Sequence, residues 1–163
     1  MNAPEKFFEN ISKQIIKFKL NGKDTDALSG ETILDVADRE GFEVPRLCYK
    51  EGYRPDGNCR SCVVEVKGER VLAPSCCRSV TEGMEVETDS ERARKSQNLV
   101  LEMLLSDMPY VGNKWESGNS KLPHGELSAW ADKKNITVRK AFEDQKRAEI
   151  KSDESHPAML VNL

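Results

Sequence analysis

Long apolar runs are missing from this sequence. No stretch approaches the ~20 apolar residues that a membrane-spanning helix needs, so no membrane span is expected. The opening Met1-Asn2-Ala3-Pro4-Glu5-Lys6-Phe7-Phe8 has neither an apolar signal core nor a small-residue cleavage site. No secretory leader is read there, and the expected compartment is the cytoplasm. A strong charge of one sign is also missing. The 25 Lys and Arg against 28 Asp and Glu leave a net −3, which argues against a nucleic-acid surface, so no nucleic-acid partner is expected. Histidine occurs only at His124 and His156, each beside a proline, and both read as solvated or capping residues rather than metal ligands. Internal repeats and low-complexity tracts are absent, and no cysteine follows Cys77.

What is present is a concentrated set of cysteines. Five of them in a chain with no leader point to metal or redox chemistry rather than disulfides. Cys48, Cys59, Cys62 and Cys76 are spaced C-x10-C-x2-C-x13-C. The adjacent pair Cys76-Cys77 holds one thiol more than four ligands require, and both compete for the fourth position. Gly52, Pro55 and Gly57 break the chain between Cys48 and Cys62, so three thiols share one loop. The fourth arrives after a predicted hairpin. Four thiolates gathered in this way suit a two-iron, two-sulfide cluster. The first gap is not the four residues of the plant-type arrangement. A Cys₄ zinc site in an interaction module is the competing reading, but zinc ribbons bring two C-x2-C knuckles and this chain has one. The iron reading implies one-electron transfer and no catalysis by this chain alone. Gly57 and Ser61 are small enough for backbone amides to approach the sulfurs. The loop has few apolar residues, so metal binding is expected to supply part of its folding free energy.

Around the loop the pattern is α+β. Residues 1–14 read as an extension. Gln14 to Leu20 alternates and reads as a strand, Asn21-Gly22 is a strong hairpin signal, and a second strand follows near Lys23 to Ala27. Ser29 or Thr32 caps a helix carrying Ile33, Leu34, Val36 and Ala37, which ends by Gly41. Cys62 to Val66 reads as a strand paired with Val71-Leu72-Ala73 across a turn at Lys67-Gly68-Glu69. Met84 to Thr88 is a last strand after a turn at Thr81-Glu82-Gly83. Asp89 or Ser90 caps a closing helix that ends near Asp107, with Leu99, Val100, Met103 and Leu104 as its packing stripe. Strand, hairpin, strand, helix is the opening of a β-grasp fold. Residues 108–163 change character: a Gly-, Asn- and Pro-rich linker, a short helix over 126–134, and a charged helix over 139–151. Neither helix carries enough apolar surface for a second core. Trp130, Phe142, Met159, Leu160 and Val161 are expected to dock on a following domain or a partner. Cys77 reads as a small buried residue, and Arg60 as an exposed one.

Three runs also carry a resemblance: Cys48-Tyr49-Lys50-Glu51-Gly52, Gly57-Asn58-Cys59-Arg60-Ser61-Cys62-Val63-Val64-Glu65-Val66 and Ala73-Pro74-Ser75-Cys76. Together they resemble the amino-terminal 2Fe–2S ferredoxin domain of the NADH-dehydrogenase large-subunit and iron-only hydrogenase superfamily. The resemblance covers residues 15–107. It implies a β-grasp 2Fe–2S ferredoxin-like domain with a partly helical C-terminal extension over 108–163. It also favours Cys76 over Cys77 as the fourth ligand, because Val80 and Gly83 then fall where relatives place a valine and a turn glycine. Trp130-Ala131-Asp132-Lys133 and His156-Pro157-Ala158-Met159-Leu160-Val161-Asn162-Leu163 resemble the α subunit of NAD-dependent formate dehydrogenases. That branch implies partners in the form of downstream iron–sulfur and molybdenum or tungsten catalytic domains, or a diaphorase-type subunit. The chain then reads as an amino-terminal fragment or a short separate subunit. Many relatives carry a His-plus-three-Cys motif for a four-iron cluster after the closing helix, and this chain has no cysteine with which to build it.

Overall fold

The structure is a computed structural model that describes residues 14–107, 125–143, 153–156 and 158–161. Strand β1 (Ile15–Leu20) buries Phe18 and Leu20 and leaves Lys17 and Lys19 in solvent, the period-2 alternation of a strand with one face on a core. It turns back at Asn21 (φ 51°) and Gly22 (φ 78°). Two successive positive φ values match the right-handed twist of a tight hairpin, and Leu20 pairs with Lys23 at the start of β2 (Lys23–Leu28). Helix α1 (Ile33–Arg39) starts at Thr32, whose hydroxyl accepts from Asp35 N while Asp35 accepts from Thr32 N, a reciprocal capping box. Strands β3 (Val63–Val66), β4 (Ala73–Pro74) and β5 (Glu85–Glu87) complete a five-stranded sheet in the order β2-β1-β5-β3-β4. The β1–β5 pair is parallel and the others are antiparallel. Ile33, Leu34 and Val36 of α1 bury against Leu20, Val64 and Val86 of the sheet. This is the expected α+β β-grasp, ferredoxin-like architecture.

Strand β4 is shorter than its expected Val71-Leu72-Ala73 extent. Only Ala73 and Pro74 pair with β3, and Val71 is exposed. This is the sheet's edge, and Pro74 has no N–H to extend the ladder.

Helix α2 (Glu91–Ser106) is capped by Ser90, whose hydroxyl accepts from Ala93 N. Its buried face corrects the expected stripe. Ala93, Gln97 and Leu101 are the buried column, whereas Leu99 is 41% and Met103 52% exposed. A polar residue in the middle of the column masks its periodicity. Gln97 Nε2 donates to Val63 O at 2.8 Å and to Thr88 O at 3.1 Å, so one amide joins α2 to β3 and to the end of β5.

Helix α3 (Glu126–Lys133) matches the expected helix, but it docks on the chain's own domain rather than on a following one. Ala131 is buried, Lys134 Nζ donates to Gln97 Oε1 at 3.0 Å, and Lys133 pairs with Glu43. Arg139 donates from Nε (2.7 Å) and from its backbone N (3.0 Å) to Glu102 Oε1, just before the short α4 (Lys140–Glu143). Polar contacts to α2 thus replace the apolar surface that the tail lacks. The Arg139 guanidinium also lies over Phe142, 4.9 Å from the ring centroid. Strands β6 (Asp153–His156) and β7 (Met159–Val161) form an antiparallel pair. This pair was not expected, because Asp153-Glu154-Ser155-His156 has no β-branched or aromatic residue to signal a strand. The expected extension over 1–13, the linker to residue 124 with His124, and the charged helix beyond residue 143 lie outside the described residues.

The two faces of α2 predict opposite outcomes. Gln97→Ala should lower the free energy of unfolding by about 1–3 kcal/mol, because the Val63 and Thr88 carbonyls stay buried without their donor. Leu99→Ala should shift it by no more than about 0.5 kcal/mol. Denaturant unfolding of both variants checks the assignment of the buried face.

Candidate functional site

After α1 the chain is pinned by Val44 and Pro45, both fully buried. Arg46 pairs with Asp38 of α1, and its guanidinium lies 5.8 Å from the centroid of the Tyr49 ring. The Tyr49 hydroxyl donates to Asp35 Oδ1 at 2.9 Å, so the residue after Cys48 is tied to the capping box of α1. Burial opposes the Asp35 charge, but the hydrogen bonds from Thr32 and Tyr49 outweigh it and hold the carboxyl below its ordinary range. Burial, with that anion beside it, pushes the Tyr49 phenol up to about 12.

From Cys48 to Cys62 there is no helix or strand. Cys59 N donates to Cys48 Sγ at 3.4 Å. Between Cys59 and Cys62 the chain reverses at Arg60, whose φ of 59° is left-handed. That conformation costs a side chain other than glycine about 1–2 kcal/mol. Arg60 is exposed, as expected, while Ser61 is fully buried with its Oγ 3.1 Å from Cys59 Sγ. Cys62, immediately before β3, is buried, and Cys76, also buried, follows β4. Their sulfurs are 3.4 Å apart. Ser75 holds them together by donating to Cys62 O from both its backbone N (3.1 Å) and its Oγ (2.8 Å).

Cys77 is exposed rather than buried, which corrects the expectation for it. The turn that carries it is closed by its backbone N, which donates to Pro74 O, and this aims the side chain outward. Its sulfur is 3.5 Å from Cys76 Sγ. It also explains Gly57: at φ 66° that residue favours glycine, and a Cβ there would stand 2.9 Å from Cys77 Sγ.

The structure therefore brings the four predicted thiols to one end of the sheet as two pairs. Cys48 and Cys59 are joined by an amide and half-exposed, and Cys62 and Cys76 are in sulfur contact and buried. Among the described residues, no three Cys, His, Asp or Glu side chains stand where one ion could be held by all of them. Two thiolates for each of two metals suit a two-iron, two-sulfide group better than a single tetrahedral zinc.

The pairs differ electrostatically. Burial raises the Cys59 thiol, but hydrogen bonds from the Ser61 hydroxyl and amide, and from Cys48, outweigh it and bring it down to about 7. Burial pushes Cys76 far up, with Cys62 and Cys77 adding to the effect, and Cys48 is raised mainly by burial. Sequence reasoning placed Ser61 only as a small residue, and it missed Tyr49, Asp35 and Ser75. The serine inside a C-x2-C run was the one visible sign.

Comparison with known proteins agrees with this geometry. Residues 13–91 match the model of the 2Fe-2S iron-sulfur cluster binding domain family. The chain is 43% identical over 100 residues to the NADP-reducing hydrogenase subunit HndD of Solidesulfovibrio fructosivorans, covering 58% of this chain and 17% of that protein. It is 33% identical over 111 residues to the mitochondrial NADH-ubiquinone oxidoreductase 78 kDa subunit of Candida albicans, covering 67% of this chain and 15% of that one. The chain thus spans less than a fifth of the length of either relative. A chain of the NAD+-reducing [NiFe]-hydrogenase, solved in its H2-reduced state, superposes with a TM-score of 0.65 and 28% identity, over 87% of this chain and 57% of that one. Over residues 13–91 this protein is therefore similar to the 2Fe–2S iron–sulfur cluster binding domains.

Proposed function

We propose that the domain passes single electrons through a 2Fe–2S cluster held by Cys48, Cys59, Cys62 and Cys76, as a relay within a larger oxidoreductase. The observation that carries this reading is the arrangement of the thiols in two pairs inside a domain of the cluster-binding family. When bound, such a cluster supplies a site that takes up and releases one electron. The chain's own residues do the rest. Buried Cys62 and Cys76 keep water from one side, while the half-exposed Cys48 and Cys59 face the side where an electron can enter or leave. The open side is thus at Cys48 and Cys59, because Cys62, just before β3, is buried. Residues 15–107 form the relay, with 1–14 and 108–163 as extensions.

The relatives support an NADH-dehydrogenase- or hydrogenase-type assembly. The resemblance of residues 130–133 and 156–163 to formate dehydrogenase α subunits supports a second, finer reading: relay to downstream iron–sulfur and molybdenum or tungsten domains, or to a diaphorase-type subunit, in the cytoplasm. Among the described residues no helix is long and apolar enough to cross a membrane.

Anaerobically purified protein should contain two irons and two acid-labile sulfides per chain, and stoichiometric zinc without sulfide would overturn the proposal. Cys76→Ser should lose the cluster or strongly perturb its spectrum, whereas Cys77→Ser should keep it. Reversed spectra would move the fourth ligand to Cys77.

The purified chain should be reduced by dithionite yet show no formate-dependent NAD reduction. The assembled enzyme, isolated through a tag on this chain and assayed with formate, NADH and hydrogen, separates the two branches. Turnover of formate supports the finer reading, and turnover of NADH or hydrogen alone removes it.

A further inference from the structure

Ser61 is fully buried, and its hydroxyl has Cys59 Sγ, 3.1 Å away, as its hydrogen-bond partner. A buried hydroxyl needs an acceptor for its proton. A cysteine that ligates iron has lost its own proton, so in that state only Ser61 can donate. We propose that Ser61 is a positioning residue that sets the reduction potential of the site by donating an O–H···S hydrogen bond to the Cys59 thiolate. The inference deepens the relay reading above and rests on Cys59 being a ligand.

The direction of the effect comes from charge. Reduction adds one electron to the site, breaks no bond and moves no proton, and the Ser61 proton stays on its oxygen. The extra negative charge spreads onto the ligand sulfurs. A hydrogen bond to one of them is therefore stronger in the reduced state and raises the potential. Burial increases the effect, because a donor shielded from water meets a lower local dielectric. Cys77 offers a contrast at the other pair. Its sulfur lies 3.5 Å from Cys76 Sγ, but it is exposed, and a thiol is a weak donor. Its contribution should be smaller.

Ser75 supplies a matched control. It too is fully buried and lies beside a proposed ligand, but its hydroxyl donates to the Cys62 carbonyl rather than to a sulfur. Removing it deletes the same atom without touching a thiolate, while the backbone N at position 75 still donates to the Cys62 carbonyl.

The test is spectroelectrochemical titration of the cluster-loaded full chain, with resonance Raman spectra in H2O and D2O. Ser61→Ala should load fully and shift the potential to more negative values. It should also lose the deuterium shift of one iron–cysteine stretching band that the unaltered protein shows. Ser75→Ala should keep that deuterium shift and move the potential less than Ser61→Ala. Cys77→Ala should fall between the unaltered protein and Ser61→Ala. Full loading of Ser61→Ala with an unchanged potential and an unchanged deuterium shift would overturn the inference while leaving the relay reading intact. Equal potential shifts in Ser61→Ala and Ser75→Ala would also overturn it, because the effect would then come from packing alone. If Cys59→Ala retained an unaltered cluster, the ligand set itself would be wrong, a failure distinct from either of these.

Discussion

The backbone N of Ser75 donates to the Cys62 carbonyl, and the rest of the site depends on that bond. β4 pairs over only two residues, too short a ladder to fix the register of the chain beyond Pro74. That backbone bond extends the pairing by one residue, and the Ser75 hydroxyl donates to the same carbonyl beside it. Cys76 is thereby delivered to Cys62 with the sulfurs in contact. Leu34 N donates to Ser75 O in turn, so the same serine ties the thiol pair to α1 and hence to the core. A cluster placed on this pair would sit on buried chain tied to the core.

The other pair is held differently. Cys48 and Cys59 lie in a loop without strands or helices, and the loop is fixed at its beginning rather than along its length. Buried Val44 and Pro45, the Arg46–Asp38 ion pair and the Tyr49–Asp35 hydrogen bond anchor the start. Beyond them few apolar side chains can be buried, and Tyr53 is exposed. A loop with so little to bury is the part of the fold that a bound metal would complete. The same lack of cover leaves two of the four sulfurs near solvent, where electron exchange needs them. Burial on one side and access on the other come from one topology.

Among the described residues, the tail enlarges the domain without a second core. α3 and the start of α4 lie on α2 through Lys134–Gln97 and Arg139–Glu102 contacts, with little apolar area added. Gln97 is the hinge of this arrangement: its amide nitrogen serves β3 and the end of β5, and its oxygen receives Lys134. Leu99 and Met103 remain outside, exposed on the helix surface that these contacts leave open.

Much of this was legible in the residues because it is local. Asn21-Gly22 specified its hairpin by backbone sterics, and Thr32 and Ser90 stood among the two candidate caps read for each helix. The cysteine spacing marked out Cys48, Cys59 and Cys62 and left Cys76 and Cys77 to compete for the fourth place, because a metal's appetite for thiolates does not depend on distant neighbours. What failed to show was non-local. The buried face of α2 turned on Gln97, whose acceptors are the carbonyls of Val63 and Thr88, 34 and 9 residues away. The exposure of Cys77 came from the turn after Pro74 and from Gly57, which leaves room for its sulfur only once the loop has folded across it. The β6–β7 pair has no strand-forming residues in its first arm. The sequence by itself thus determined which groups are present and which short turns and caps they form, since those depend on neighbours along the chain. Only the tertiary structure decided which thiols pair, which face of each helix is buried and which sulfur a serine reaches, because those are settled by atoms that the chain brings together from afar.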